Sequence, residues 1–232
     1  MKFKFKKIAA LITAGVVALS LAGCNGANKA DAKNKQLVVG ASNVPHAEIL
    51  EQAKPILAKE GINLKIVKFQ DYVLPNKSLA SKDLDANYFQ HIPYLNGQIK
   101  QFGYKFEIAG RIHIEPIGVY SKKYKSLTQL PNKATIIMSN SVADHGRMLT
   151  LLQQEGLIKL KPGIDTTTAT IKDIVSNPKH LNFKADIDPS LLPKVYKNGE
   201  GDAVLINTNY AIDAGLNPLK DAIALEGKNL HT

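Results

Sequence analysis

Between residues 36 and 69 the hydrophobic pattern changes period twice, which restricts the fold more than any other feature of the chain. "QLVVGAS" (36–42) is a short, valine-rich apolar run of the kind that forms a buried strand. "PHAEILEQAKPILAKEG" (45–61) then places Ile49, Ala53, Ile56 and Leu57 at helical spacing. Pro45 suits a first helical turn and Gly61 a stop. Pro55 is expected to kink or end that helix, because it lacks an amide N–H and crowds the preceding turn. "INLKIVKF" (62–69) alternates Ile62, Leu64 and Ile66 on one face, as a strand does. Strand, helix, strand is the βαβ unit of a parallel sheet. No glycine-rich phosphate loop joins the first strand to its helix, so the pattern lends nucleotide binding no support.

The alternation continues downstream. "IPYLNGQIKQFG" (92–103) reads as a helix ended by Gly103, and "YKFEIAGRIHIEPIGVYS" (104–121) as a long β-rich run interrupted at Gly110 and Pro116. "KATIIMSN" (133–140) reads as a strand and "DHGRMLTLLQQEG" (144–156) as a helix. "NFKADID" (182–188) and "DAVLINTNYA" (202–211) read as two more strands, with "PSLLPKVYKNG" (189–199) helical between them. The expected class is α/β, with about seven strands in two lobes. Residues 36–112 form the first lobe and 113–206 the second, and 207–232 return to the first. Crossings are expected near 112–120 and 203–210.

The N-terminus fixes the compartment. "KFKFKK" is cationic, "IAALITAGVVALSLAG" (8–23) is uncharged and mostly apolar, and small residues precede the single cysteine, Cys24. A cationic start, an apolar segment and a small-residue cleavage point describe a secretion signal. The apolar run falls short of the roughly 20 residues of a spanning helix. Removing residues 1–23 takes away four lysines and no acids, which lowers the net charge from +10 to +6. With only two arginines, Arg111 and Arg147, the remainder lacks the clustered arginines of a nucleic-acid binder. It suits a solvated surface facing an anionic membrane. "NGANKADAKNK" (25–35) reads as a flexible tether.

The chemistry-bearing residues exclude more than they assign. The six histidines show no metal-binding spacing, and no G-x-S-x-G elbow is present, so neither a metal site nor an enzyme is expected. "RIHIEP" sets His113 and Glu115 on one strand face. Such a pair suits acid–base work, although its more frequent use is a structural polar contact. Arg147 lies in the first turn of a predicted helix, after polar Ser139, Asn140 and Ser141. There the helix dipole and a guanidinium both attract a carboxylate. Pairing with Asp144, three residues earlier, accounts for it equally well. In "LDANYFQHIPYL" (84–95) alternation puts Asn87, Phe89 and His91 on one face and Tyr88 and Gln90 on the other. Such an aromatic face is more often core than the wall of a pocket.

Read together, "VGASNVPHAEIL" (39–50), "DYVLPNKSL" (71–79), "LDANYFQHIPYL" (84–95), "HIEPIGVYS" (113–121), "GRMLTLLQQEGLIKL" (146–160) and "AVLINTNYAIDAGL" (203–216) resemble the NLPA lipoprotein family. This family comprises the methionine-binding lipoproteins of bacterial ABC importers. "LAGC" likewise resembles the bacterial lipobox. The resemblance implies a two-lobed periplasmic-binding-protein fold that closes on a free amino acid, usually methionine, with no cofactor and no catalysis. It implies lipidation of Cys24, anchorage on the extracytoplasmic face of the cell membrane, and delivery to a permease with a separate ATPase subunit. By position, Tyr72, Phe89 and His91 would line the thioether pocket. Arg147 would hold the α-carboxylate and Asn207 the ligand's polar groups, with Tyr88 and Asn140 as further contacts. Asp144, which stands where the family commonly has asparagine, would pair with Arg147 or receive the ligand's ammonium. The chain ends at "GKNLHT", before a Pro-Tyr-x-Asn segment and a last helix of the family, so a C-terminally truncated member is expected. The alternative expectation is a surface interaction or adhesion lipoprotein that keeps the fold but has lost transport binding.

Overall fold

In the computed structural model, residues 35–227 are described. The signal, Cys24 and the tether up to residue 34 lie outside them. The βαβ unit forms as the pattern predicts: strand β1 (Lys35–Ser42), helix α1 (Glu48–Lys59) and strand β2 (Ile62–Phe69). After helix α2 (Leu74–Ala80), strand β3 (Ala86–Tyr88) pairs with the other side of β1. The result is a three-stranded sheet of order β2-β1-β3, parallel throughout. Helix α3 (Ile92–Phe102) follows. Gly103 ends it in the left-handed conformation at φ 70°, which glycine adopts without steric cost.

The second sheet has five strands. Strand β4 (Ile117–Tyr120) enters it, followed by β5 (Thr135–Ser139) and helix α4 (Val142–Gln154). The short pair β6 (Lys159–Leu160) and β7 (Ile174–Ser176) stands apart as a two-stranded ribbon. Strand β8 (Asn182–Ile187), helix α5 (Leu192–Lys197), strand β9 (Ala203–Asn207), helices α6 (Thr208–Asp213) and α7 (Pro218–Asp221), and strand β10 (Ala224–Leu225) complete the chain. The order is β10-β4-β9-β5-β8, with β5 parallel to both β8 and β9, and β4 antiparallel to β9 and β10.

Period-two alternation splits the apolar strands of this sheet between two cores. Ile136, Met138 and Leu205 face Met148, Leu149 and Leu152 of α4. Ile137, Val204 and Ile206 face Leu192 of α5 and Tyr210 of α6. Both faces are covered, which is why "ATIIMS" and "AVLIN" read as continuous apolar runs.

Several expectations need correction. Helix α1 does not end at Pro55 but continues to Lys59; Pro55 is exposed, so solvent can reach the carbonyl whose bond partner proline removes. No residue of α1 is buried, and Ile56, expected on its core face, is 60% exposed. Of the β-rich run 104–121, only Ile117–Tyr120 is a strand. Alternation gives residues 104–116 strand propensity, but no strand among the described residues lies beside them to complete a ladder, and Ile108, Ile112 and Ile114 stay exposed. The strand expected over 202–211 stops at Asn207, where α6 begins. In so short an apolar run the period cannot separate strand from helix. Among the described residues ten strands form rather than about seven, several of only two or three residues. Finally, the segment expected to return to the first lobe divides. Helix α6 reaches that lobe, with Asn43 Nδ2 donating to Asp213 Oδ1 (2.6 Å). Ala224–Leu225 instead pairs with β4 in the larger sheet, since β4 offers an unpaired edge.

Candidate functional site

A cavity of about 1340 Å³ opens between the two sheets, walled on one side by residues 103–115. Its aromatic end is built from the turn after β2. Asp71 Oδ1 accepts from the backbone N–H groups of Val73 and Leu74 (2.7 and 2.8 Å), which fixes the turn that carries Tyr72. The Tyr72 hydroxyl donates across to Asn209 Oδ1 (2.6 Å). Its ring lies 4.9 Å from that of Tyr210, 5.9 Å from Tyr94 and 6.1 Å from Phe89. Tyr94 donates to the Tyr72 carbonyl (2.7 Å), and Tyr210 to the Gln70 carbonyl (3.1 Å). Burial above all pushes the Tyr72, Tyr94 and Tyr210 phenols up, so they remain neutral donors.

The polar end is centred on Asp144, which is 1% exposed. His91 caps α3, its Nδ1 accepting from the Tyr94 N–H (3.3 Å), and its Nε2 lies 2.9 Å from Asp144 Oδ1. Asn207 Nδ2 donates to Asp144 Oδ2 (3.2 Å). Burial alone would raise the Asp144 carboxyl. The His91 hydrogen bond and charge, Arg147 and Asn207 outweigh it and hold the group below the ordinary carboxylate value. With its amide nitrogen committed to Asp144, Asn207 presents Oδ1 as a buried acceptor that has no partner among the described residues.

Arg147 lies in α4 and lines the cavity. Its Nε donates to Glu226 Oε1 (3.0 Å), and its Nη2 to Glu226 Oε2 (2.6 Å) and the Glu115 carbonyl (2.8 Å). Gly146, just before it, lets α4 meet the 166–167 loop: a Cβ there would stand 1.9 Å from the Thr166 carbonyl oxygen.

Of the residues singled out from sequence, Tyr72, Tyr88, Phe89, His91, Arg147 and Asn207 line the cavity. Asp144 lies one layer behind and is bonded to His91 rather than Arg147. The Arg147 fork is occupied by Glu226 instead. Asn140 is exposed at the end of β5 and does not line the cavity. His91 follows β3 as a helix cap, so it does not share a strand face with Asn87. Tyr88 belongs to a different cluster, its hydroxyl 2.5 Å from His113 Nδ1. Its phenol is pushed up to about 12, first by burial and then by the Glu115 charge. Sequence reasoning passed over Tyr94, Asn209, Tyr210 and Glu226. Helical spacing from His91 would have pointed to Tyr94. Nothing local marks Glu226, which meets Arg147 only through the β10–β4 pairing.

The sequence profile of the NlpA lipoprotein family matches residues 37–232. The chain is 51% identical over 227 residues to a Bacillus subtilis protein named methionine-binding lipoprotein MetQ, covering 97% of this chain and 81% of that one. Among solved structures it is similar to a pheromone cOB1 precursor/lipoprotein from Enterococcus faecalis, with 57% identity and a TM-score of 0.81. That match covers 84% of this chain and 80% of the other. A nutrient binding protein from Burkholderia cenocepacia bound to methionine matches at 47% identity and a TM-score of 0.79, with the same two shares of coverage.

Proposed function

Because the chain belongs to the NlpA lipoprotein family, we propose that it is the substrate-binding component of an ABC importer, capturing free methionine between its two lobes. The observation that carries this reading is the partnerless Asn207 Oδ1. It is a buried acceptor beside a buried carboxylate, in a cavity whose opposite end is aromatic, and an α-amino acid with a thioether side chain has the matching parts. Its ammonium would donate to Asn207 Oδ1, and its carboxylate would meet the Arg147 guanidinium. Its sulfur would lie against Tyr72 and Phe89, each such contact contributing about 0.3–1.5 kcal/mol. The methionine named for the Bacillus and Burkholderia relatives supports the same ligand.

In this reading Cys24 carries the lipid, and acyl chains hold the protein at the outer face of the cell membrane, each buried methylene contributing about 0.8 kcal/mol. The bound amino acid passes to a permease driven by a separate ATPase subunit. The role is binding and release, without catalysis. Calorimetric titration of residues 25–232 with L-methionine, D-methionine and the other amino acids tests it. Saturable binding of methionine is expected, and absence of heat with every amino acid would overturn the reading.

A further inference from the structure

Beside Arg147, which donates to the Glu115 carbonyl, three donors from two distant parts of the chain converge on the wall of the same cavity. His46 comes from the turn between β1 and α1, and His113 and Glu115 from the extended segment ahead of β4. His46 Nε2 lies 3.9 Å from Glu115 Oε2, and His113 Nε2 lies 3.1 Å from Glu115 Oε1. One ligating atom from each residue falls within 4.8 Å of the other two. Two donors bound at about 2.0–2.2 Å around a tetrahedral zinc ion stand roughly 3.3 Å apart, and the cluster's separations lie around that spacing, with small side-chain adjustments needed to bring all three atoms onto one ion.

We propose that His46, His113 and Glu115 form a binding site for a divalent transition cation of the zinc type, with a fourth position open to the cavity. Hydrogen bonding within the cluster does not explain it. The 3.9 Å His46–Glu115 separation is too long for a hydrogen bond. Glu115 Oε1 is buried and accepts no hydrogen bond from the described residues, despite the nearby His113 nitrogen. His46 is 3% exposed, and its Nδ1 likewise has no partner among the described residues. A buried carboxylate oxygen left without a partner is costly unless something else binds it, and a cation at the cluster would do so.

The surroundings support a metal ligand set. The Tyr88 hydroxyl sits 2.5 Å from His113 Nδ1. With a cation on His113 Nε2, Nδ1 would carry the proton and donate to the Tyr88 oxygen, the usual outer arrangement of a metal-bound histidine. Two imidazoles and one carboxylate form a ligand set that zinc accepts while keeping a position open. Imidazole-rich sites also discriminate against magnesium and calcium, which prefer oxygen. All four residues line the cavity, so the open position takes water or a group of whatever fills the cavity.

The test is titration of the untagged full-length protein with Zn²⁺, with Mg²⁺ as control, followed by calorimetry. One equivalent is expected to bind, with His46→Gln and Glu115→Gln each weakening affinity by about a hundredfold and Tyr88→Phe by about tenfold. Co²⁺ in place of Zn²⁺ is expected to give the intense visible bands of four-coordinate cobalt in the wild-type protein, a readout that does not depend on any variant folding. Absence of a saturating equivalent, six-coordinate cobalt bands, or wild-type affinity in both ligand variants would overturn the proposal. Methionine binding is measured separately, so failure here leaves the transport reading standing.

Discussion

His91 Nε2 lies 2.9 Å from Asp144 Oδ1, so the residue that caps a first-lobe helix is held by a buried carboxylate of the second lobe. The contact links the lobes at the polar end of the cavity and keeps Asn207 oriented through the other carboxylate oxygen. Removing one partner of such a buried pair leaves the other without compensation.

Asp144→Asn is therefore expected to lower unfolding stability by about 1–3 kcal/mol near neutral pH, read from the urea midpoint. The acid dependence has a definite sign. The folded protein holds the Asp144 carboxyl below its ordinary value of 3.8, with burial opposing the shift and the His91 contact leading the groups that outweigh it. As pH falls through that value the unfolded chain takes up the proton first. The stability from Asp144 is thus fully present above the ordinary value and lost as pH falls through the folded one. The gap between wild type and Asp144→Asn should narrow on acidification below about pH 4. A gap that stays constant down to pH 3 would show that the carboxylate's charge contributes nothing.

The Arg147–Glu226 pair makes a second prediction. Its guanidinium already holds an internal carboxylate through two hydrogen bonds, so a ligand carboxylate must displace Glu226 to occupy the same fork. Glu226→Gln keeps the shape and removes the charge, and should tighten methionine binding by up to tenfold, about 1.4 kcal/mol. Arg147→Ala should weaken it by at least that factor. Calorimetry on both variants decides the matter: unchanged affinity in Glu226→Gln means that the two carboxylates do not compete.

How much of this was legible in the sequence follows from the range of the interactions involved. Strands β1, β2, β5 and β8 and helices α3 and α4 announce themselves through local periodicity and through Gly103 and Gly156 as stops. The failures are non-local. Residues 104–116 have the alternation of a strand, but strand formation needs a neighbour, and alternation carries no information about one. Sequence offers Asp144 either Arg147, by helical proximity, or the ligand's ammonium, while the fold supplies His91 from 53 residues away. The same applies to His46, which comes within 3.9 Å of Glu115 from far away in the chain, a proximity that spacing along one element does not reveal.

Gly146 gives a test of packing. A Cβ built there would stand 1.9 Å from the Thr166 carbonyl oxygen and 3.0 Å from Thr167 backbone carbon. Both atoms belong to the backbone, so relief requires moving either α4 or the loop. Gly146→Ala should cost about 1–3 kcal/mol and lower the melting temperature by several degrees. Because Arg147 is the next residue, methionine affinity should fall with it. An unchanged melting temperature would mean that the loop moves away without cost.

The aromatic end of the cavity makes the most discriminating prediction, because it separates sulfur recognition from plain apolar burial. Phe89 is 7% exposed and packs 6.1 Å from Tyr72 and 6.0 Å from Tyr94, ring centre to ring centre. Phe89→Leu keeps an apolar side chain but removes the ring edge that a thioether would contact. Methionine affinity should drop by roughly two- to tenfold, from a loss of about 0.3–1.5 kcal/mol. Norleucine, which replaces the sulfur with a methylene, should lose less. The preference for methionine over norleucine should accordingly shrink in Phe89→Leu, whereas a defect confined to folding would weaken both ligands by the same factor. Competition calorimetry measures that ratio directly. A preference that survives Phe89→Leu intact would remove this ring from sulfur recognition and leave Tyr72 as the aromatic contact to test next.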